Sequence, residues 1–375
     1  DCWYQAVVRK GLCISPKRSP QKSPKTATVN PNVDHFGYRQ DQLYAEEIPL
    51  ATIAERVGTP CYVYSRATLE RHYRVFDDAF GDWPHHICFA VKANGNLAVL
   101  QVLQRLGAGF DIVSTGELDR VLASGGRADD VVFSGVGKSS AEIEQALSAG
   151  VRLLSIESEE ELERVNAVAL SANTAAPVAF RINPDVDPKT HPYIATGLRQ
   201  NKFGVPAAEA LALYRKADAM QGIEVMGIGC HIGSQLTEIA PFCDALEKVL
   251  DLVEVLGKNG ITLQHLDLGG GVGIRYCDET PPDPADYVQA MLEILKRRGC
   301  DLDVTLEPGR AIAGNAGILL TRVEYIKPGP SKQFVIVDAA MNDLLRPALY
   351  QAWHEVVEVE REREREMREC DVVGP

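Results

Sequence analysis

The chain has 375 residues, of which 45% are hydrophobic and 24% charged, so it is long enough for a substantial core. Its formal net charge of −13 argues against general affinity for nucleic acid or anionic membrane surfaces. No apolar run approaches the roughly 18 residues of a membrane span. Nine cysteines occur without a Cys-x-x-Cys pair, which indicates neither a metal site nor a disulfide framework. These features favour a reduced, cytoplasmic enzyme.

The first and last segments differ in composition from the middle of the chain. Residues 1–30 include the basic, Ser- and Pro-rich stretch SPKRSPQKSPK and lack the apolar core of a secretory signal. We therefore expect a disordered tail there. Residues 358–369, EVEREREREMRE, alternate in charge, which is typical of a solvated helix or strand face. Neither segment predicts chemistry.

Eight short apolar runs lie between these segments, and each is typical of a buried parallel strand. They cover residues 86–91, 109–113, 131–134, 152–156, 177–182, 223–230, 263–268 and 303–306. Amphipathic helical patterns such as NLAVLQVLQRLG, TGELDRVLASGG, SSAEIEQALSAG and ESEEELERVNAVAL separate most of the runs. This alternation predicts an α/β fold of the (β/α)8 barrel type rather than an open sheet.

Polar residues and glycines stand at or just beyond the carboxyl ends of these runs, where the working residues of a barrel lie. In chain order they are Lys92, Asp111, Arg181, Asn183, His231, Ser234, Gly269, Gly270, Gly271, Glu307, Pro308, Gly309 and Arg310. Chance placement would scatter such residues between both ends of the barrel. We therefore expect them to converge at one mouth.

Each feature has a plainer alternative when it is taken alone. A lysine at a strand end usually faces solvent, and a lone histidine is as often structural as functional. Three glycines can merely make a tight turn, and EPGR can be a turn whose Glu and Arg pair at the surface. Taken together, however, the glycines and PGR follow the seventh and eighth runs, where barrels often bind phosphate through closely approaching backbone N–H groups.

A phosphate site opposite a strand-end lysine, with a glutamate alongside, predicts a site for pyridoxal 5'-phosphate. The Lys92 amine can bond covalently to the aldehyde of this cofactor, whose phosphate anchors its far end. Glu307 would face the pyridine nitrogen and keep it protonated, and His231 would lie against the ring face. Ser234 would donate to the phosphate, and Asp111 would orient Lys92.

The same segments, with others, resemble the diaminopimelate decarboxylases among the barrel-type pyridoxal phosphate decarboxylases. FAVKAN, HIGS and EPGR mark the wider group, whereas HPYIATGL and MNDLLRPALY are more specific to the diaminopimelate branch. The resemblance runs from about residue 35 to 357 and again over DVVGP at 371–375. It implies decarboxylation of meso-2,6-diaminopimelate to L-lysine and carbon dioxide, the last step of lysine biosynthesis.

The resemblance also implies roles for individual residues. Lys92 and His231 would be catalytic, and the residues contacting the cofactor would include Gly270, Gly271, Glu307, Pro308, Gly309 and Arg310. Substrate contacts would come from Arg310, Arg346 and Tyr350. Guanidinium groups suit a substrate that carries a second carboxylate, because they pair with it in a bidentate fork. A packing or surface arginine is the plainer alternative for Arg346.

The domain organisation follows from the resemblance as well. We expect a barrel over residues 66–310 and a β domain formed by residues 31–65 and 311–375, in a homodimer that shares its active sites. Family members continue past DVVGP with a Cys-Glu-Ser-Gly-Asp segment and, later, a tyrosine, whereas this chain stops at Pro375. We therefore expect a chain that binds the cofactor but turns over poorly. The alternatives are an arginine/ornithine-type pyridoxal phosphate decarboxylase and a non-catalytic protein that binds the cofactor.

Overall fold

A computed structural model describes residues 5–9, 34–186, 202–330, 332–361 and 370–375 of the chain. The chain divides into two compact units. The barrel unit comprises Leu69–Ile274 and Pro281–Ala313, and the sheet unit comprises Asp1–Thr68, Arg275–Thr280 and Gly314–Pro375. Among the described residues, no helix has the length and apolar character that crossing a membrane requires.

Eight parallel strands close the barrel. They are β1 (His85–Ala90), β2 (Gly109–Ile112), β3 (Val131–Phe133), β4 (Leu153–Ile156), β5 (Ala176–Asn183), β6 (Ile223–Gly229), β7 (His265–Asp267) and β8 (Asp303–Leu306). Each strand pairs with the next, and β8 pairs with β1. Each predicted run coincides with one of these strands to within two residues at either end. The predicted (β/α)8 barrel is therefore confirmed.

Helices follow the strands and cover the outside of the barrel sheet. They are Leu97–Gln104, Thr115–Ala123, Ser140–Ala149, Glu159–Ser171, Ala207–Asp218, Ala240–Lys258, Pro284–Arg298 and the short Arg310–Ala313, with Arg66–Phe80 ahead of β1. Three of these helices are capped by the serine just before their first residue, Ser114, Ser139 or Ser158, whose side chain accepts a backbone N–H of the first turn. Because each cap lies within a few residues of the end of β2, β3 or β4, the caps help to set the loops at the barrel mouth.

The opposite end of the barrel is held by a charged cluster around Asp303, the first residue of β8. Asp303 Oδ2 accepts from His86 Nε2 at 3.1 Å and from Arg152 Nη2 at 3.0 Å, and it lies 3.5 Å from His265 Nδ1. Burial alone would raise the pKa of Asp303, but contacts with the two histidines and the charge of Arg152 hold it well below its ordinary value.

We expect Asp303→Asn to lower the free energy of unfolding by about 1–3 kcal/mol near neutral pH. The folded-state pKa of Asp303 lies below its unfolded value of about 3.9, so the ionised carboxylate contributes stability above that pH. This contribution is lost as the pH falls toward the folded pKa. Urea unfolding between about pH 7 and pH 3 should therefore show the difference between variant and unaltered chain shrinking with acid. The exposed neighbour Asp301, changed to Asn, is the control, and a difference independent of pH would contradict the assignment.

The sheet unit contains two antiparallel-rich sheets and two short helices among its described residues. One sheet comprises Gln5–Arg9, Cys61–Tyr64, Gly317–Pro328, Gln333–Val337, Glu355–Glu358 and Cys370–Val373, and the other comprises Phe36–Arg39, Gln42–Ala45 and Ile48–Pro49. The helices are Leu50–Val57 and Arg346–Tyr350. A core that includes Phe36, Leu43, Leu50, Ile318 and Leu320 packs these elements together.

Residues 5–9 correct one expectation. They form a strand paired with Gly317–Pro328 and with Glu355–Glu358, although the sequence predicts a disordered tail there. The run QAVVR is short, and its partners lie more than 300 residues away, so local sequence carries little sign of the pairing. The rest of the predicted tail, residues 1–4 and 10–30, lies outside the described residues, as do residues 362–369 of the charge-alternating segment.

Candidate active site

A cavity of about 230 Å³ opens at the carboxyl ends of the barrel strands. Its lining comprises Lys92, Val113, Ser134, Gly135, Leu153, Ser155, Ala179, Arg181, Phe203, Gly229, Cys230, His231, Asp267 and Glu307. Residues from the ends of β1, β5, β6 and β8 therefore meet here, at the mouth where the sequence predicts a site. The cavity is large enough for part of a small organic molecule.

Lys92 stands in a single 3-10 turn, Val91–Ala93, directly after β1. Its Nζ donates to Asp111 Oδ2 at 2.5 Å, and the Asp111 side chain is fully buried on β2. Burial lowers the pKa of Lys92, but the negative charge of Asp111 and its hydrogen bond with the amine outweigh burial and raise the pKa overall. The amine is therefore charged in the cofactor-free site and lines the cavity, although 51% of the Lys92 side chain is exposed to solvent.

Three carboxyl groups lie close together at this end of the barrel: those of Asp111 and Glu307, which are buried and act on the Lys92 amine, and that of the half-buried Asp267. Burial, followed by the charges of Asp111 and Asp267, raises the pKa of Glu307 well above its ordinary value, so this group carries a proton. Asp267 accepts the backbone N–H of Gly269 at 2.7 Å and stays the more acidic of the two. Asp111 Oδ1 is buried and has no hydrogen-bond partner among the described residues. The site is thus prepared for additional positive charge or hydrogen-bond donors.

His231 lies two residues beyond β6. Burial and the positive charges of Arg181 and Lys92 lower the pKa of His231 well below its ordinary value, so the imidazole is neutral. Its Nδ1 accepts the backbone N–H of Gly270 at 3.0 Å, which leaves the proton on Nε2. The ring is therefore held by backbone and offers an uncharged face.

Close approaches of backbone explain the glycines of the two final loops. A Cβ on Gly270 would lie 2.2 Å from the carbonyl oxygen of Glu307, and one on Gly309 would lie 3.0 Å from the Cβ of Ala90. Gly271 has φ +114°, and its Cβ would lie 2.5 Å from the carbonyl oxygen of Gly233. Any side chain at Gly270 or Gly271 would push the loops apart, so the glycines do more than make a turn.

Arg310 and Ser234 add side-chain donors near this glycine turn. Arg310 Nε and Nη2 each lie 3.2 Å from Ser234 Oγ, which accepts from them. Ser234 follows Gly233, whose carbonyl lies against Gly271. A guanidinium, a hydroxyl and glycine N–H groups in one neighbourhood form a donor set that suits a phosphate. EPGR is therefore not a surface turn with an internal Glu–Arg pair.

The structure also brings in residues that the sequence interpretation did not single out. Asp267 and Ser134 line the cavity, and Ser134 Oγ lies 3.5 Å from Glu307 Oε1. Asp267 stands two residues before the three glycines 269–271, so its place at the end of β7 was the available signal. Arg346 and Tyr350 belong to the sheet unit.

The residues present fit pyridoxal phosphate. The ring nitrogen would meet the carboxyl group of Glu307, whose pKa is raised by burial and by the charges of Asp111 and Asp267. A phosphate would meet glycines that leave no room for a Cβ, with Arg310 and Ser234 at hand. The amine of Lys92 faces the same cavity.

Comparison with known proteins agrees with this chemistry. Residues 66–314 match the model of the family described as pyridoxal-dependent decarboxylase, pyridoxal binding domain. Over 344 residues the chain is 56% identical to the diaminopimelate decarboxylase of Vibrio cholerae serotype O1, covering 92% of this chain and 82% of that protein. The diaminopimelate decarboxylase of Pseudomonas aeruginosa is 57% identical over 343 residues, with 92% and 82% covered.

A solved structure shares the architecture as well. The diaminopimelate decarboxylase of Helicobacter pylori, complexed with L-lysine, superimposes with a TM-score of 0.82 at 42% sequence identity. The match covers 87% of this chain and 81% of that one. The likeness in sequence therefore extends to the fold. The chain belongs to the diaminopimelate decarboxylase family of pyridoxal-dependent decarboxylases.

Proposed function

We propose that the chain catalyses the pyridoxal phosphate-dependent decarboxylation of meso-2,6-diaminopimelate to L-lysine and carbon dioxide. The observation that carries this proposal is the charged Lys92 amine facing a buried carboxyl cluster at the barrel mouth, in a chain of this family. The bond between the D-centre carbon and its carboxylate breaks, carbon dioxide leaves, and a proton replaces it.

We propose that different residues contact different parts of the cofactor. Lys92 would hold it covalently, Glu307 would face the ring nitrogen, and His231 would cover one ring face. The phosphate would lie among Ser234, Gly270, Gly271, Pro308, Gly309 and Arg310. When bound, the cofactor supplies an electron sink for the pair released as carbon dioxide departs.

Proton transfers by the chain itself follow from the cavity's electrostatics. Lys92 Nζ carries a proton in the cofactor-free site and must lose it before it can bond to an aldehyde. Asp111 Oδ2, at 2.5 Å, is the acceptor within reach. The protonated carboxyl of Glu307 could deliver its proton to a pyridine nitrogen, which would leave the Glu307 carboxylate as the negative partner of the ring.

We propose that Arg310, Arg346 and Tyr350 bind the substrate. For Arg346 the support within the sheet unit is twofold. Its guanidinium carbon lies 4.7 Å from the centre of the Tyr276 ring, and its buried Nη1 has no hydrogen-bond partner in the described part of the chain. A stacked guanidinium with an unused donor suits a carboxylate. An ornithine-type substrate ends in a cation instead and would need an acidic pocket.

Replacing Arg346 with Ala should lower kcat/KM for diaminopimelate by roughly ten- to a hundredfold, because a charge-assisted contact is typically worth about 1.5–3 kcal/mol. Affinity for pyridoxal phosphate should stay unchanged. Steady-state kinetics and cofactor titration check the two parts. Arg39, which pairs with Glu47 on the surface of the same unit, supplies the control variant Arg39→Ala. Equal losses of cofactor and substrate binding would indicate a structural arginine.

A substrate panel tests the proposed function. Carbon dioxide and amine product are measured with meso-diaminopimelate, L-ornithine and L-arginine, alongside the absorbance of bound cofactor. We expect product from diaminopimelate, in equal amounts of L-lysine and carbon dioxide. Because the panel compares the three substrates with one another, its result remains valid even if turnover is slow. Preference for ornithine or arginine would favour that branch of the decarboxylases, and cofactor absorbance without any product would favour a binding protein.

We also propose that two copies of the chain form a homodimer with shared active sites. Support comes from the sheet unit, where Met341, Leu345, Leu349 and Tyr350 are each more than half exposed. Apolar side chains grouped in this way often mark an interaction surface. Light scattering should give twice the mass of one chain, and a single-chain mass at assay concentration would contradict the proposal.

A reducing, cytoplasmic location remains part of the proposal. Support comes from the cysteines at 61, 88, 230, 243, 277, 300 and 370, all of which are free thiols. Burial raises the pKa of Cys230 to about 12, so this cavity-lining thiol is a poor nucleophile. Thiol blocking before denaturation, read by mass spectrometry on protein from intact cells, should find these cysteines reduced.

A further inference from the structure

Four charged side chains, three of them buried and the fourth partly buried in the cavity lining, form a row at one wall of the cavity. They are Lys138, Glu161, Glu157 and Arg181, and their charges sum to zero. Only 1% of the Lys138 side chain and 2% of the Glu157 side chain are exposed to solvent. Charges buried to this extent need partners, because an unpaired one is strongly destabilising.

Lys138 anchors the far end of the row. Its Nζ donates to the carbonyl oxygens of Gly135 at 2.7 Å and Ser155 at 2.6 Å, and to Glu161 Oε1 at 2.7 Å. All three of its donors are therefore used. Because Gly135 and Ser155 line the cavity, the ammonium ties the ends of β3 and β4 together from behind.

Glu157 is the link between this anchor and the cavity. It follows β4 directly, and its backbone N–H donates to Glu161 Oε2 at 2.7 Å. Its carboxylate accepts from Arg181 Nη1 at 3.2 Å and from the backbone N–H of Gly204 at 3.0 Å. One carboxylate thus joins the end of β4 to β5 and to the chain that returns after β5.

Arg181 is the member of the row that lines the cavity. Its Nη2 donates to the carbonyl oxygen of His231 at 3.3 Å, and its guanidinium carbon lies 4.9 Å from the centre of the Phe203 ring. Arg181, His231 and Phe203 all line the cavity. Without the Glu157 carboxylate, Arg181 would lose one of the groups that fix its position and the charge that balances its own.

We propose that Glu157 is a positioning residue: it holds the Arg181 guanidinium against His231 and cancels the charge of Arg181 at Lys92. The inference rests on the proposed function in taking Lys92 as the cofactor lysine. The charged or titratable groups that act on the Lys92 site are Asp111, Glu117, Arg181, His231, Asp267 and Glu307. Arg181 lowers the pKa of Lys92, and without the balancing charge of Glu157 its full positive charge would lower that pKa further.

The variant Glu157→Gln tests this directly, because it keeps the shape of the side chain and removes the charge. In the cofactor-free full-length chain, Lys92 is methylated by formaldehyde and cyanoborohydride across a pH series and quantified by peptide mapping. We expect the apparent pKa of Lys92 to fall by about one unit. Glu159→Gln is the matched control. Glu159 stands two residues after Glu157 and pairs with Lys216 at an exposed site. It should leave the titration unchanged.

A double variant separates charge balance from a merely structural role. Glu157→Gln with Arg181→Met removes both charges, so the titration of Lys92 should return to that of the unaltered chain. If Glu157→Gln does not fold, as circular dichroism would show, the double variant decides: a normal titration supports the proposal and a shifted one overturns it. A folded Glu157→Gln chain with an unchanged Lys92 titration also overturns it.

The measurement uses neither cofactor nor substrate. A failure of the Lys92 titration to move would leave carbon dioxide release from diaminopimelate untouched, whereas a wrong substrate assignment would leave the titration untouched. The two outcomes are therefore distinguishable. In the holoenzyme, the pH at which the absorbance of bound cofactor changes should fall in the same direction in Glu157→Gln.

Discussion

Replacing Lys92 with Ala should leave the chain without covalently held pyridoxal phosphate and reduce turnover by at least about 1,000-fold. No other lysine lines the described cavity, so no amine there can take over the bond to the cofactor. The loss of charge also leaves the Asp111 carboxylate buried without its ion-pair partner. Absorbance after gel filtration reports the cofactor, and lysine formation reports turnover.

The control for this variant is Lys258→Ala, which removes an amine from an exposed helix end. Its cofactor content and rate should match those of the unaltered chain. A Lys92→Ala chain that retained a borohydride-reducible cofactor, or kept more than a tenth of the turnover, would place the covalent bond elsewhere.

Replacing Glu307 with Gln should reduce turnover by about a hundredfold or more while cofactor still binds. The raised pKa of Glu307 makes it a carboxylic acid that can give a proton to the ring nitrogen, and an amide cannot do so. An unprotonated ring is a weaker electron sink. The variant keeps the size and one hydrogen-bonding oxygen of the side chain, so the cavity should keep its form.

Cofactor affinity, absorbance spectrum and kcat check this prediction together. We expect the spectrum and kcat to change and the affinity to change much less. Ser134→Ala is a useful companion, because it removes the hydroxyl near Glu307 Oε1 but leaves the carboxyl group in place. Unaltered kcat in Glu307→Gln would mean that the ring nitrogen is served by another group.

The barrel and much of its mouth could be predicted because both depend on short-range patterns. Apolar runs and amphipathic helices alternate locally, and the carboxyl end of each parallel strand falls on the same face. Lys92, His231 and the glycines after β7 were therefore placed at one mouth without knowledge of any contact. The complete burial of Asp111 could not be predicted, because a strand of only four residues gives too short a pattern to indicate how deeply a side chain is buried.

The buried charges behind the cavity could not be predicted in the same way. Lys138 and Glu161 are separated by 22 intervening residues, and each resembles an ordinary polar residue between strand and helix. Their pairing depends on how the loops after β3 and β4 fold over one another. Asp267 likewise gains its importance from Glu307, which comes from a different strand.

The sheet unit was the harder part for a related reason. Gln5–Arg9 pairs with strands near the other end of the chain, so its conformation is determined by tertiary contacts rather than by local propensity. Arg346 was singled out by its motif, whereas its stacking on Tyr276 joins positions 70 residues apart. Neither contact can be predicted from the residues next to it in the sequence.

The central claim is that this chain uses Lys92 to hold pyridoxal phosphate at the barrel mouth. Borohydride reduction of the holoenzyme, followed by proteolysis and peptide mapping, tests it most directly, because reduction makes the bond between amine and cofactor permanent. We predict a single labelled peptide containing FAVKANGN, with the label on Lys92. A label on another lysine, such as Lys202, or no stable label at all would contradict the account.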